Sequence, residues 1–153
     1  MPTRRTLLAH SAKVLTLLAA AGWLPARAQA AGYNSAAFEA KSIAELVKAL
    51  GVQMPVESKD VTLTGPDIAE NGAVVQVGAS TALPGAKRLL LLVEKNPAVM
   101  SAIFEVSDSV EAGFSTRIKM GQSSNVYAVA MMDDGKLLYA QKEIKVTLGG
   151  CGG

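Results

Sequence analysis

The chain has 153 residues, with 15 basic and 13 acidic side chains, one histidine, one cysteine and one tryptophan. This length suits one domain with a single hydrophobic core. One cysteine excludes an intrachain disulfide framework and a cysteine-rich zinc site, which need several such ligands.

Residues 1–30 have the pattern of an export signal rather than of a folded element. Arg4 and Arg5 precede an apolar stretch that is too short and too interrupted for a permanent membrane anchor. The arginine pair favours the twin-arginine route. Small residues at positions 28 and 30 predict cleavage after Ala30, with cleavage after position 28 as the second choice. An ordinary amphipathic N-terminal helix is the alternative.

Cleavage after Ala30 changes what the mature chain can do. It removes four of the 15 basic residues and none of the 13 acidic ones, so the net charge changes from +2 to −2. The basic character of the full chain is therefore no argument for nucleic-acid binding. His10 and Trp23 leave as well. Without histidine, the mature chain has no Ser-His-Asp or Cys-His catalysis and none of the usual zinc sites, and we expect no cofactor.

The first mature segment predicts one helix over residues 33–50. Asn34 or Ser35 can cap its start, and apolar residues recur at helical spacing from Ile43 to Leu50. Gly51 is expected to end it. This helix should lay its apolar side on the rest of the domain.

From residue 56 onward the apolar period changes to that of β-strands. Turn residues such as Asn71-Gly72, Asn96-Pro97 and Asp133-Asp134-Gly135 separate the segments. Seven strands at this spacing favour a mostly β fold, an antiparallel β-sandwich. The apolar run from 88 to 93 should be central and buried on both faces. The predicted strands span 61–64, 73–79, 88–94, 101–107, 114–119, 125–132 and 136–147.

The last strand is followed by Gly149-Gly150-Cys151-Gly152-Gly153. Alternation at Ile144, Val146 and Leu148 predicts that the chain is held in the sandwich, as part of a domain over 31–148. The five residues 149–153 should form a mobile arm that could reach about 17 Å when extended. Glycine adds neither a side chain nor stiffness, so the arm is narrow enough to enter a deep pocket.

Cys151 has no basic neighbour and no second cysteine nearby in sequence, so nothing local favours its thiolate. We therefore expect it to carry a group that other proteins act on. A frayed end with an incidental cysteine and an interaction module joined by an interchain disulfide are alternatives. A thiol oxidoreductase is a weaker one, because it needs a base or a resolving cysteine.

The end of the chain, from Val146 to Gly153, closely resembles that of the SoxY family, the sulfur-carrier subunits of periplasmic thiosulfate oxidation. Three internal motifs are similar to the same family, at 66–72, 94–97 and 116–120. The glycine-flanked cysteine is the most specific part of the resemblance, and the internal motifs support it.

The resemblance implies an immunoglobulin-like sandwich that forms a heterodimer with SoxZ. It implies that a c-type cytochrome enzyme, SoxXA, conjugates thiosulfate oxidatively to the cysteine. The hydrolase SoxB would then remove sulfate, and the sulfane dehydrogenase SoxCD, where present, would oxidise the remaining sulfur. Cys151 is the matching attachment position, and Gly149, Gly150, Gly152 and Gly153 match the carrier arm. The chain itself is then not an enzyme.

The internal motifs receive structural interpretations. Asn71-Gly72 and Asn96-Pro97 are expected to be turns, and Arg117 is expected on the solvent or partner face of a strand. Neither Asn71, Lys95 nor Arg117 is assigned a chemical role.

Overall fold

The computed structural model describes residues 34–148. Two sheets pack face to face, and two short helices cover the outer side of the larger sheet. The elements in chain order are α1 (Ser35–Glu39), α2 (Ile43–Leu50), β1 (Val56–Glu57), β2 (Val61–Thr64), β3 (Ile68–Ala69), β4 (Val75–Thr81), β5 (Ala86–Val93), β6 (Met100–Glu105), β7 (Gly113–Ile118), β8 (Ser124–Met132) and β9 (Leu137–Val146).

The larger sheet has the strand order β1-β9-β8-β5-β6, and the smaller one has the order β2-β4-β7. The long strands pair antiparallel, as the sequence predicts. The two-residue strands β1 and β3 pair parallel with β9. The result is the immunoglobulin-like antiparallel sandwich expected from the sequence.

Strand β5 lies in the middle of both hydrophobic layers. Leu89 and Leu91 face the smaller sheet, whereas Leu90 and Leu92 face the helices. All four side chains are at most 2% exposed. This burial on both faces confirms the prediction from the continuous apolar run, because a strand covered on one side only would alternate with polar residues.

The prediction of one helix over 33–50 is wrong in one respect, because the chain forms two helices there. Ala40 and Ser42 have extended backbone angles, so helical geometry stops between Glu39 and Ile43. The Ser42 hydroxyl accepts a hydrogen bond from the Glu45 N–H, and the Glu45 carboxylate accepts one from the Lys41 N–H. This arrangement resembles a capping box, which starts a new helix at Ile43.

The start of β4 also differs from the prediction. The sequence predicts a strand over 73–79, and the structure has β4 at Val75–Thr81. The side-chain oxygen of Asn71 accepts a hydrogen bond from the Ala73 N–H at 2.8 Å. The backbone carbonyl of Asn71 accepts one from the Val74 N–H at 3.3 Å. Residues 73 and 74 therefore belong to an Asx turn that precedes the strand.

Candidate functional site

Strand β9 is the last element of the chain before Cys151. It ends at Val146, and Thr147 and Leu148 are the last described residues. Cys151 and the glycines of the predicted arm, 149–153, lie outside the described residues. The site can thus be described at the point from which the arm leaves the domain.

Hydrogen bonds hold the chain beyond the end of β9. The Thr147 N–H donates to the Ala69 carbonyl at 3.1 Å, and the Thr147 hydroxyl donates to the Glu70 carbonyl at 3.0 Å. The Gly72 N–H donates to the Leu148 carbonyl at 2.7 Å. The loop before β4 therefore fixes the chain as far as Leu148.

A second loop holds the same strand from its other side. The Ser123 hydroxyl accepts from the Val146 N–H at 2.9 Å and lies 3.5 Å from the Val146 carbonyl, to which it donates. Ser123 directly precedes β8, the neighbour of β9 in the sheet. The end of β9 is thus clamped between two loops.

These two loops are joined to each other and to a third. The Met120 N–H donates to the Gly72 carbonyl at 2.7 Å. The side-chain amide of Asn96 donates to the Lys119 carbonyl at 2.7 Å and accepts from the Gly121 N–H at 3.2 Å. Segments 70–73, 94–97 and 119–123 therefore form one connected end of the sandwich, which we call the arm end.

The arm end brings together the three internal motifs singled out in the sequence. Asn71 forms a turn, as expected. The backbone N–H of Lys95 donates to the Ser124 hydroxyl at 3.1 Å. Arg117 lies opposite Gln76 on the exposed face of the smaller sheet, in agreement with its predicted position. The structure brings Asn71 and Lys95 to the base of the arm.

The model of the family described as "Sulfur oxidation protein SoxY" matches residues 46–151. The chain belongs to the SoxY family. The match includes Cys151 and all three loops of the arm end.

Solved structures agree with this assignment. The chain is 33% identical to the sulfur carrier protein SoxY from Chlorobium limicola f thiosulfatophilum, with a TM-score of 0.60 over 67% of this chain and 93% of that one. A superoxide reductase (neelaredoxin) variant from Ignicoccus hospitalis is 23% identical, with a TM-score of 0.50 over 56% of this chain and 78% of that one, which shows a shared fold alone. No curated protein matches the chain in sequence.

Sequence reasoning missed the hydrogen-bonding role of three residues at this end of the SoxY-family chain. Ser123, Thr147 and Asn96 each use a short polar side chain to bond backbone groups. Such residues beside strand ends are typical capping groups, which was an available signal. Their hydrogen-bond partners lie 23 to 77 positions away in sequence, so the local pattern does not identify those partners.

Electrostatics at the arm end are modest. The Lys142 ammonium group lies 2.8 Å from the Asp67 carboxylate and donates to the Gly65 carbonyl at 2.8 Å. Its hydrogen bond and positive charge lower the pKa of Asp67. Burial, followed by the charge of Glu94 and the nearby Tyr139, raises the pKa of Tyr127. Neither group supplies a base near neutral pH.

A cleft of about 890 Å³ lies at the opposite end of the sandwich, which we call the far end. It is lined by residues 80–86, 106–108 and 110–113, together with Lys59, Asp60 and Thr62. The nine residues of β8 separate the two ends by about 30 Å. Cys151 is three residues past Leu148 and can move about 11 Å from it. The cleft is therefore out of reach of the Cys151 side chain.

Within residues 34–148, no group of three or more His, Cys, Asp or Glu side chains is placed to hold a metal ion. In the same part of the chain, no helix is long and apolar enough to cross a membrane.

Proposed function

We propose that the protein is a covalent sulfur carrier in thiosulfate oxidation, with Cys151 as the attachment site. The observation that carries the proposal is the combination of SoxY-family membership over 46–151 with a chain that is firmly held up to Leu148. The single cysteine of the sequence comes three residues later. A thiol in that position can be presented to other proteins while the domain stays folded.

The loading step is an oxidation that joins two sulfur atoms. A sulfur–sulfur bond forms between the Cys151 sulfur and the terminal sulfur of thiosulfate. The thiol loses its proton to solvent, and the two sulfur atoms together lose two electrons. A c-type cytochrome enzyme of the SoxXA kind accepts these electrons. The product is a thiosulfonate on Cys151, with the anionic sulfonate at the end that is not bonded to the cysteine sulfur.

The later steps belong to other partners. A SoxB-like hydrolase would use water to release sulfate, which leaves a persulfide on Cys151. A SoxCD-like sulfane dehydrogenase would oxidise that outer sulfur, with water as the oxygen source and its own acceptor taking the electrons. A SoxZ-like subunit would form a stable heterodimer with this chain. The carrier contributes position and accessibility to these reactions, and its partners contribute the catalysis.

The proposed compartment is the periplasm, reached by the twin-arginine route with cleavage after Ala30. The arginine pair at Arg4-Arg5 and the small residues before the cleavage position support this route. In an oxidising compartment an unpaired cysteine is unusual. Repeated loading and unloading of Cys151 accounts for its presence there.

The test is mass spectrometry of the mature chain with its SoxZ-like subunit, after incubation with thiosulfate and the conjugating cytochrome. A thiosulfonate should appear on Cys151 and should be absent from Cys151→Ser. An adduct that persists in Cys151→Ser, or a wild-type chain that gains no adduct, would overturn the proposal. A non-reducing gel on the same samples would identify an interchain disulfide, the competing use of this cysteine.

A further inference from the structure

Asn71-Gly72 lies at the arm end, and the proposed carrier function gives its side chain no chemical role. It is the single Asn-Gly pair in the sequence. The side-chain amide carbon of an asparagine can be attacked by the backbone nitrogen of the next residue, and glycine, which has no side chain, hinders this attack least. The other asparagines precede a serine, a proline without an N–H and a branched valine, at positions 34, 96 and 125. The sequence therefore makes Asn71 the asparagine most open to this reaction.

Hydrogen bonds engage both reacting groups in the folded chain. The Gly72 N–H donates to the Leu148 carbonyl at 2.7 Å. The side-chain oxygen of Asn71 accepts from the Ala73 N–H at 2.8 Å. The attack requires the Gly72 nitrogen to lose its proton and the Asn71 side chain to turn its amide carbon toward that nitrogen. These two hydrogen bonds oppose both changes, so the reaction has to wait until the loop opens.

The two reacting residues differ in their exposure. Asn71 is exposed, whereas Gly72 is buried. Water can therefore reach the Asn71 side chain in the closed structure, but it reaches the Gly72 nitrogen only when the loop opens. Opening of the loop, and not access to Asn71, is then the event that controls the reaction.

The chain at the base of the arm helps to keep this loop closed. The Thr147 hydroxyl donates to the Glu70 carbonyl at 3.0 Å, and the Met120 N–H donates to the Gly72 carbonyl at 2.7 Å. Glu70 and Gly72 flank Asn71, so these bonds hold the loop on both sides of the reacting residue. A weaker bond from Thr147 should therefore let the loop open more often.

We propose that Asn71 is a site of spontaneous covalent modification, and that the hydrogen bonds at the base of the arm set its rate. When the loop opens, the Gly72 nitrogen forms a bond to the Asn71 amide carbon and gives up its proton. The amide nitrogen takes up a proton and leaves as ammonia, which closes a cyclic imide. Water then opens the imide at either of its carbonyls, to give aspartate or isoaspartate. Each step exchanges a nucleophile for a leaving group, with no change of oxidation state.

The isoaspartate product changes the backbone itself. Its main chain runs through the former side-chain carbon, so the path from residue 71 to Gly72 gains a methylene. A carboxylate also replaces the backbone carbonyl that accepts from the Val74 N–H. The Gly72 N–H then no longer faces the Leu148 carbonyl in the same geometry, and the hold on the arm weakens. The inference goes beyond the proposed carrier function and does not depend on what Cys151 carries.

The test is peptide mass spectrometry of the purified protein, incubated for days at mildly alkaline pH and sampled at intervals. Conversion is read from the mass of the peptide that contains Asn71, and isoaspartate is separated from aspartate by chromatography. The wild type should convert slowly, and the same chain unfolded in urea should convert much faster. Thr147→Val should convert about fivefold faster than the wild type, the factor that corresponds to one lost hydrogen bond. Thr147→Ser, which keeps the hydroxyl, should convert at the wild-type rate.

Two controls separate opening of this loop from unfolding of the whole domain. Gly85→Ala lowers the global stability from the far end, where Gly85 has a φ of 84°, and should leave the conversion of Asn71 unchanged. Asp134-Gly135 is an internal control, because an aspartate before glycine forms the same imide with loss of water. The Asp134 carboxylate accepts from the Lys136 N–H at 3.0 Å in a turn of the same kind. Its isomerisation should proceed at the same rate in the wild type and in Thr147→Val.

The outcomes decide the inference. A folded wild type that converts as fast as the chain in urea would overturn it, because the hydrogen bonds would then exert no control. It is also overturned if the folded wild type and Thr147→Val both stay unmodified while the chain in urea converts. Equal rates in the wild type and Thr147→Val, or an equal acceleration by Gly85→Ala, would show that the base of the arm does not set the rate.

Discussion

At the arm end, hydrogen bonds cross from one sheet to the other, whereas the far end is organised around turns and exposed ion pairs. Gly72 before β4 bonds Leu148 after β9, and Asn96 after β5 bonds the connection between β7 and β8. At the far end, Gly85 and Gly135 adopt positive φ values of 84° and 81°. A cleft of about 890 Å³ also remains open there.

The proposed carrier function accounts for this difference. A turn at the far end only has to reverse the chain, and glycine in the left-handed region does this at no steric cost. In the proposed carrier function, the chain at the arm end has to leave the sheet at a defined residue so that partners can act on Cys151. Hydrogen bonds from two loops to Val146, Thr147 and Leu148 set that residue.

The largest effect is expected from Asn96→Ala. The substitution removes two hydrogen bonds and leaves the Lys119 carbonyl and the Gly121 N–H without that partner. The free energy of unfolding should fall by about 2 kcal/mol, as measured by chemical denaturation. Asn96→Asp keeps an acceptor for the Gly121 N–H and loses the donor to the Lys119 carbonyl. Its free energy of unfolding should therefore lie between those of the wild type and Asn96→Ala. Equal stability of all three proteins would show that the loops are not joined through this residue.

The next effect belongs to the far end. In Gly85→Ala the residue keeps a positive φ, and its new Cβ would lie 3.0 Å from the Asp133 carboxylate. The free energy of unfolding should fall by about 1–2 kcal/mol, chiefly from the left-handed backbone geometry.

Gly135→Ala is the matched control for that variant. Gly135 has nearly the same φ, and a Cβ added there would have no atom within 4 Å beyond its chain neighbours. The difference between the two variants measures the contact with Asp133. Both variants lower the global stability, so hydrogen exchange of the Gly72 amide is compared with that of amides that exchange only by global unfolding. On this scale, the Gly72 amide should exchange no faster in either variant than in the wild type. Faster exchange there would mean that the two ends are not independent.

Local sequence patterns predict the far end better than the arm end. The turn at Asp133-Asp134-Gly135 and the burial of the apolar run in β5 are each predicted from residues adjacent in sequence, and both are found as predicted. The Ser42 and Glu45 pair, which divides the expected helix, is also a local pattern and could have been used. Such signals are enough to predict the fold class.

The hydrogen bonds that build the arm end cannot be predicted from local sequence patterns. Thr147 and Glu70 are 77 positions apart, and Asn96 and Lys119 are 23 apart. The two-residue strand β3 exists only because β9 lies beside it. An isolated pair of residues has no periodicity to detect, so only the tertiary structure identifies these partners. Cys151 is the opposite case, because the sequence alone singles it out as the proposed attachment site.

A smaller and more local effect is expected from Thr147→Val. The substitution keeps the shape of the side chain and removes the hydroxyl that bonds the Glu70 carbonyl. Loss of one such hydrogen bond costs about 1 kcal/mol, which should make the Gly72 amide exchange about fivefold faster. Thr147→Ser keeps the hydroxyl and should restore slow exchange. If Thr147→Val exchanges as slowly as the wild type, the hydroxyl does not hold the base of the arm.

The smallest effects concern pH, and each end provides one carboxylate. The ammonium groups of Lys142 and Lys136 lower the pKa values of Asp67 and Asp134, respectively, below the ordinary value of 3.8. A carboxylate with a lowered folded-state pKa stabilises the protein above its unfolded pKa. That contribution is lost as the pH falls through the folded value.

Asp67→Asn and Asp134→Asn should therefore each flatten the fall in unfolding free energy below about pH 4. The side chain of Asp67 is 87% exposed, whereas that of Asp134 is 47% exposed and also accepts a hydrogen bond from the Lys136 N–H. Solvent and salt screen the more exposed carboxylate of Asp67 more, so Asp134→Asn should flatten the profile more than Asp67→Asn does, and added salt should change the Asp67 contribution more. Titrations of urea unfolding from about pH 2 to about pH 6 measure both slopes. A larger effect at Asp67 would show that the carboxylate at the far end is no better shielded than the one beside Lys142.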